Sequence, residues 1–329
     1  MTLLNKGIFA AVIAAASIAF AASEALKPRT SPLPAAPETG PSYSFIVLGD
    51  THFDAEPSVY HSELKAPKDF QKAEFARNYG MWTNRNPRLL AAAAKKVTPD
   101  TAFAIQLGDL VQGDCENPVT HAKMLTDAFT TIKKALGGIA FIPVCGNHDV
   151  RGKGAKKAYH ETMPPFIAKE LKQDVSDTTF FFMHGPDLYI FVDFNDPKPS
   201  VIRDAFKRHG DARYTFLATH GPAIPARDSS ARSGLFCSVK TDALRRELLD
   251  LLLRHNAIVL AGHIHEINCL RLATEEGTVS QFVCSSVWKN PKQSVPYVFD
   301  DSPAKYGAFA AKNNDTNTVD FLNCYKPAL

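Results

Sequence analysis

Five short turns in this chain concentrate side chains of one chemical kind. They are Gly49-Asp50-Thr51-His52, Gly108-Asp109, Gly146-Asn147-His148-Asp149, Thr219-His220 and Gly262-His263-Ile264-His265. Each directly follows an apolar run, as in Phe45-Ile46-Val47-Leu48-Gly49-Asp50 and Ile258-Val259-Leu260-Ala261-Gly262-His263. Carboxylates and imidazoles gathered in one buried place repel or desolvate one another unless a cation neutralises them. The donor set is two carboxylates (Asp50, Asp109), one amide oxygen (Asn147) and four imidazoles (His52, His220, His263, His265). That exceeds the needs of one tetrahedral ion and suits two divalent transition metals sharing a bridging carboxylate. Mixed imidazole, carboxylate and amide donors accept Mn, Fe, Zn, Co or Ni according to supply.

Taken singly, each turn has an ordinary reading. A lone Gly-Asp is usually a turn with an Asx bond, and a lone buried histidine is usually a hydrogen-bonded core residue. What binds the five together is the scaffold that must carry them. Strands are predicted at Tyr43–Leu48, Thr101–Leu107, Ile139–Cys145, Thr179–Met183, Leu188–Phe194, Tyr214–Ala218 and Ile258–Ala261, with helices at Pro87–Val97, Pro118–Leu136, Ala155–Leu171, Val201–His209 and Asp242–Arg254. After His265 the pattern changes to strands alone, at Ile267–Ala273, Thr278–Val287, Tyr297–Phe299 and Val319–Cys324. Alternating strands and helices imply an α/β domain with largely parallel pairing. In such a sheet the carboxyl ends of the strands share one edge, so the five turns meet in one crevice although they span more than two hundred residues. The glycine before each motif is expected to permit the sharp turn there.

As an ordered set, Asp50-x-His52, Gly108-Asp109, Gly146-Asn147-His148-Asp149, His220 and Gly262-His263-x-His265 resemble the five signature blocks of the calcineurin-like metallophosphoesterases, from about Phe45 to Glu266. The resemblance implies two packed mixed β-sheets flanked by helices, an αββα sandwich with a dinuclear metal site at the carboxyl ends of its strands. Position by position, it assigns Asp50, His52, Asp109 and His265 to one metal and Asp109, Asn147, His220 and His263 to the other, with Asp109 as the bridge. It implies hydrolysis of phosphomonoester or phosphodiester bonds by a metal-bridging hydroxide. His148 matches the family histidine that stands near the leaving-group oxygen and, as imidazolium, donates a proton. A rival reading is a non-catalytic metal-binding scaffold on the same fold; it has no need of every position, yet all are filled.

The chain also departs from the family's protein phosphatases, which continue the second block as Gly-Asp-x-Val-Asp-Arg-Gly and end the third in Glu. Here the second block reads Gly108-Asp109-Leu110-Val111-Gln112-Gly113-Asp114 and the third ends in Asp149. The substrate-gripping arginine and the orienting aspartate are missing, which counts against phosphoprotein substrates and leaves the partner of His148 open between Asp149 and Asp114. For Asp149 a turn-capping role is the equal alternative. The expected substrate is a small phosphate ester such as a nucleotide or a sugar phosphate. Tyr60, His61, Arg77, Tyr79, Trp82 and Arg85, in an insertion spanning Phe53–Asn86, and the polar loop Arg227–Arg232 could contact it; for any one of them a plain loop or structural role is as good a reading.

The remaining features bound the setting. The 329 residues carry 37 Lys plus Arg against 34 Asp plus Glu, a net of +3 with no basic block, which excludes a dedicated nucleic-acid surface or a polybasic membrane binder. A charge-free run from Ile8 to Ala22, preceded by Lys6 and containing Ala19-Phe20-Ala21, reads as a cleaved signal peptide over residues 1–21. It predicts a secreted or periplasmic protein with no membrane-spanning segment after cleavage. A Pro-rich linker is expected over residues 22–42 and one catalytic domain over 43–329. If Glu276-Gly277 is a two-residue hairpin turn, Cys269 and Cys284 face each other and a cross-strand disulfide fits; two small buried core residues are the equal alternative.

Overall fold

The computed structural model describes residues 42–224, 242–265, 268–286, 308–313 and 319–321. The expected signal peptide, most of the linker, the loop Arg227–Arg232, the strand Tyr297–Phe299, Cys237 and Cys324 lie outside them.

Two mixed sheets form the centre. The first contains β1 (Tyr43–Leu48), β2 (Thr101–Gln106), β3 (Ala140–Pro143), β10 (Ala308–Asn313) and β11 (Val319–Phe321), in the order β11-β10-β1-β2-β3. Strands β1, β2 and β3 run parallel, while β10 lies antiparallel to β1 and β11 antiparallel to β10. The second sheet contains β4 (Phe180–His184), β5 (Asp187–Val192), β6 (Thr215–Thr219), β7 (Ile258–Ala261), β8 (Asn268–Ala273) and β9 (Thr278–Val283), in the order β4-β5-β6-β7-β9-β8. Its four inner strands are parallel and its two edges antiparallel.

Strand periodicity explains the layering. Along β5, Tyr189 and Phe191 face the first sheet, where Tyr189 meets Phe45 at 5.6 Å and Phe103 at 5.1 Å between ring centroids. The alternate residues Leu188, Ile190 and Val192 join a separate cluster with Ile202 and Phe206 of α6 (Pro199–His209) and Leu248 and Leu252 of α7 (Asp242–Arg254). Over the other sheet lie α3 (Asn86–Ala94), α4 (Pro118–Ala135) and α5 (Ala155–Leu171). Helix α4 shows why such segments are helical. Asn117 caps it by accepting from the Thr120 N–H at 2.9 Å, and Pro118 occupies its first turn. Its buried residues His121, Met124, Leu125, Ala128, Phe129 and Ile132 recur at helical spacing. Truncating Leu125 to Ala would cost about 2–5 kcal/mol. The result is the helix–sheet–sheet–helix sandwich that the five blocks implied.

Three expectations need correction. The insertion Phe53–Asn86 is not a loop: it holds α1 (Pro57–Tyr60) and α2 (Asp69–Asn84). Strand β10, beside β1, had no counterpart in the pattern of the sequence. In the β8–β9 hairpin Cys269 pairs with Phe282 rather than Cys284, and no disulfide joins the two cysteines. The turn residues are Glu275 and Glu276, with the Thr274 N–H donating to the Gly277 carbonyl at 2.9 Å. Gly277 stands beside the turn because a Cβ there would lie 2.1 Å from the Leu253 carbonyl oxygen. Both that close approach to the end of α7 and its own φ of 148° require glycine.

Candidate metal centre

All five turns lie at the carboxyl ends of β1, β2, β3, β6 and β7 and converge. The first two are joined backbone to backbone: the N–H groups of Thr51 and His52 both donate to the Asp109 carbonyl, at 3.1 and 2.9 Å. Trp82 of α2 fixes the same turn, its indole N–H 3.0 Å from the Thr51 carbonyl and 3.1 Å from that of His52. Gln106 brackets the second turn, donating to the Gly108 carbonyl at 2.6 Å and accepting from the Gly108 N–H at 3.1 Å.

The turns are tight enough to strain the chain. Positive φ occurs at His52 (40°), Asp109 (51°), His263 (70°) and His265 (51°). Such left-handed conformations cost non-glycine residues of order 1–3 kcal/mol each and gather at functional sites. Of the preceding glycines, only Gly108 is itself left-handed, with φ 85°. The others serve close approach: a Cβ on Gly146 would sit 2.2 Å from the Asp109 nitrogen, and one on Gly49 2.0 Å from the Ser285 carbonyl oxygen.

The side chains then meet in two groups. Asp50 Oδ2 lies 2.9 Å from His265 Nε2, and His52 Nε2 lies 3.4 Å from His265 Nε2 and 3.7 Å from Asp109 Oδ2. On the other side His220 Nε2 lies 3.3 Å from Asp109 Oδ2, 3.0 Å from Asn147 Oδ1 and 2.9 Å from His263 Nδ1. Ligand atoms of Asp50, His52 and His265 are mutually within 4.8 Å, as are those of Asp109, His220 and His263, and Asp109 also groups with His52 and His148. Asp109 therefore faces both sides. Asp50, His52, Asp109 and His220 are buried, while Asn147, His263 and His265 are part-exposed and form the mouth. Phe194, just past β5, walls that mouth 5.1 Å from the His263 ring and 5.4 Å from that of His220.

Two cations fit this donor set. His220 Nδ1 donates to the Leu107 carbonyl at 2.8 Å, so the neutral ring presents its Nε2 lone pair to the oxygens of Asp109 and Asn147. Lone pairs facing lone pairs at such distances require a positive charge between them. With protons as the only cations, burial opposes the His220 imidazolium, yet Asp109 and Asp50 prevail and raise it to about 9. Burial and the neighbouring His220 push His263 down to about 4. The orienting carbonyl behind an imidazole is also the usual support of a metal-binding histidine.

Residues 43–266 match the family model for calcineurin-like phosphoesterases. The chain belongs to that family. A search of curated proteins found no significant match. Among solved structures, this phosphoesterase-family chain is similar to GAP50, the anchor in the inner membrane complex of Plasmodium, at 13% identity and TM-score 0.42 over 87% of this chain and 90% of that one. The NAD nucleotidase of Haemophilus influenzae follows at 12% identity and TM-score 0.39, over 86% of this chain but 49% of the other. A phosphatase of Mycoplasma pneumoniae is similar at 12% identity and TM-score 0.36, over 85% and 92%.

Of the residues singled out beside the metal edge, several have structural duties. The Tyr60 hydroxyl donates to Asp127 at 2.8 Å, and His61 reaches both Asp54 oxygens at 3.1 Å while stacking on Phe75. Asp149 takes the turn-bracing alternative: its Oδ1 accepts from the Val111 N–H at 3.0 Å and its Oδ2 from the Gly146 N–H at 2.8 Å. Burial and the nearby Asp109 raise that carboxyl to about 7. The His148 imidazole instead meets the Gln112 carbonyl at 2.9 Å and Arg151 Nη1 at 3.1 Å, and Asp114 pairs with Arg151. Phe194, Gln106 and Arg151 escaped the sequence reading because no spacing rule links them to the five turns.

Proposed function

We propose that this chain hydrolyses small phosphate esters with two divalent transition metals. Asp50, His52, Asp109 and His265 would hold one, and Asp109, Asn147, His220 and His263 the other. The observation that carries the reading is Asp109, whose carboxylate stands between two otherwise separate groups of donors. When bound, such a metal pair activates water and offsets the charge that builds on the transferring phosphoryl group. The chain's own residues do the rest. The His148 N–H anchors Asp109 Oδ1 at 2.7 Å and so fixes the shared carboxylate. The His148 ring lies 4.5 Å from that of His52, edge to face, and would donate a proton at the leaving-group oxygen only as imidazolium, with Arg151 moved off its Nε2. Phe194 shields the mouth from water and offers a face for a base or sugar.

Nucleotides and sugar phosphates are the substrate classes to test, as monoesters and diesters. Purified protein assayed with p-nitrophenyl phosphate and its bis ester, after chelation and after Mn²⁺ return, should be inactive and then active. Turnover indifferent to chelation would refute the dimetal reading, and metal-loaded protein inert across a nucleotide and sugar-phosphate panel would favour the scaffold. Export is part of the same proposal and rests on the residues of 1–21. No helix among the described residues is long and apolar enough to cross a membrane. Amino-terminal sequencing of the mature protein should begin after Ala21; an intact Met1 on active protein would overturn cleavage.

A further inference from the structure

Phe194 is an aromatic side chain that the core does not use. Among the described residues it joins neither of the two hydrophobic clusters, and the rings beside it are the imidazoles of His220 and His263, at 5.4 and 5.1 Å. It is only partly buried, at the mouth where Asn147, His263 and His265 are part-exposed as well. Leaving an apolar ring half in water forgoes hydrophobic stabilisation, so packing does not account for its place. A stray surface aromatic would also be loosely held, and this one is not.

The backbone on either side fixes it. The Phe194 N–H donates to the Cys145 carbonyl at 3.2 Å, and Asn195 Nδ2 donates to the Gly146 carbonyl at 3.0 Å, so the loop is tied to the turn that carries Asn147. Asp193, fully buried, closes that loop. Its Oδ1 accepts from the N–H groups of Asn195 at 2.7 Å and Asp196 at 3.3 Å, an Asx turn around Phe194. Its Oδ2 accepts from the Thr178 hydroxyl at 2.7 Å, and its own N–H donates to Thr179 Oγ1 at 3.0 Å. A carboxylate so deeply buried is costly unless its oxygens meet donors, and the donors here define one short loop that holds the Phe194 ring at the mouth. We propose that Phe194, with Asp193 as its positioning residue, selects nucleoside phosphates over simple sugar phosphates by stacking the base. A base presents a flat π-face to the phenyl ring, whereas a pentose presents staggered hydroxyls. The spacing suits such a substrate. Only the His220 and His263 imidazoles separate Phe194 from the Asp109 carboxylate, so phosphate and stacked ring would stand about one side chain apart, as a pentose holds them in a nucleoside monophosphate. The inference names the substrate class of the proposed phosphoesterase site and rests on that reading for its kinetic half.

Adenosine 5'-monophosphate and ribose 5-phosphate share the phosphate and the pentose and differ by the base, so the ratio of their kcat/KM values isolates the stacking. In the metal-loaded wild type that ratio should favour the nucleotide. Phe194→Ala should lower it about 5–150-fold, chiefly through KM, while Phe194→Trp keeps it and metal content stays the same in both. Asp193→Ala should lower the ratio as well, and Asp193→Asn, whose amide oxygen can still take both N–H groups, should largely retain it. Added to Phe194→Ala, Asp193→Ala should cost less than about 2-fold more, because residues acting as one unit are not additive. If Asp193→Ala does not fold, Asn195→Ala at its exposed position should lower the ratio part-way by removing the tie to Gly146. A phosphonate analogue of adenosine monophosphate, which is not hydrolysed, should lose affinity for Phe194→Ala by the same factor in calorimetry. A wild-type ratio near one, a ratio unmoved by Phe194→Ala, equal losses in Phe194→Trp, additive losses at 193 and 194 or loss of metal would each overturn the proposal. Should the wild type hydrolyse no phosphate ester, the hydrolytic reading fails, while the calorimetric comparison still decides the stacking.

Discussion

The two ends of the sandwich bury charge in opposite ways. At the amino-terminal end of β5, Asp187 is fully buried, and its oxygens are matched by Arg213 Nε and Nη2 at 2.9 and 2.7 Å, the Tyr43 hydroxyl at 2.6 Å and the Tyr214 N–H at 3.2 Å. Every group there meets its chemical opposite, and Tyr43 ties the first sheet to the second. At the metal edge the groups are less fully matched: imidazole nitrogens face each other at 2.9 and 3.4 Å beside Asp50 and Asp109. One end is finished by the chain alone, and the other presents donors that could hold metal ions. Burial of charge is common to both, so burial alone does not identify a site; complementarity within the chain separates structure from function.

This contrast can be broken by experiment. Removing the guanidinium with Arg213→Met takes two charge-assisted hydrogen bonds from the buried Asp187, and should cost about 3–5 kcal/mol in urea unfolding with turnover per folded molecule unchanged. A parallel fall in turnover would show that the two ends are not independent. Asp109→Asn should do the reverse, lowering turnover by about 10²–10³-fold or more while leaving a folded protein by circular dichroism. Next in size, Mn²⁺ at a hundred times its Kd should add about 2.7 kcal/mol to the wild type and to Arg213→Met but nothing to Asp109→Asn, measured as a Tm shift. An equal shift in Asp109→Asn would place the metal elsewhere. Smallest, Trp82→Phe, which removes the indole donor from the Thr51 and His52 carbonyls, should cost about 1 kcal/mol and weaken metal binding slightly by calorimetry.

What the sequence disclosed follows the same division. The strands β1 and β7 fall on their expected residues, and α4 within one, because an uninterrupted apolar run or a clean helical stripe bounded by a cap leaves one reading. The seven proposed ligands were legible because metal donors are rare types that recur at strand ends. Helix α2 was not, since the face it buries mixes Phe75 and Trp82 with Asn78 and gives no apolar stripe. Nor could sequence reveal the left-handed backbone at His52, Asp109, His263 and His265, which the crowding of five turns imposes only after folding. The β8–β9 register was misread because Gly277 follows the two turn residues rather than being one of them, held there by its φ of 148° and by the Leu253 carbonyl. Arg151 is the extreme case, defined by Glu74 on an element 77 residues away.

The pairing of β1 with β10 also sets a timetable. Tyr43–Leu48 is among the earliest folded segments to be synthesised, yet its antiparallel neighbour begins at Ala308. Chains grow at roughly 5–20 residues per second, so one edge of this apolar strand waits on the order of 10–50 seconds for its partner. For that interval it is an open template for pairing with other chains. The metal edge depends on the same strand, because Asp50 and His52 leave its end, so a chain that pairs wrongly at β1 would also misplace both residues.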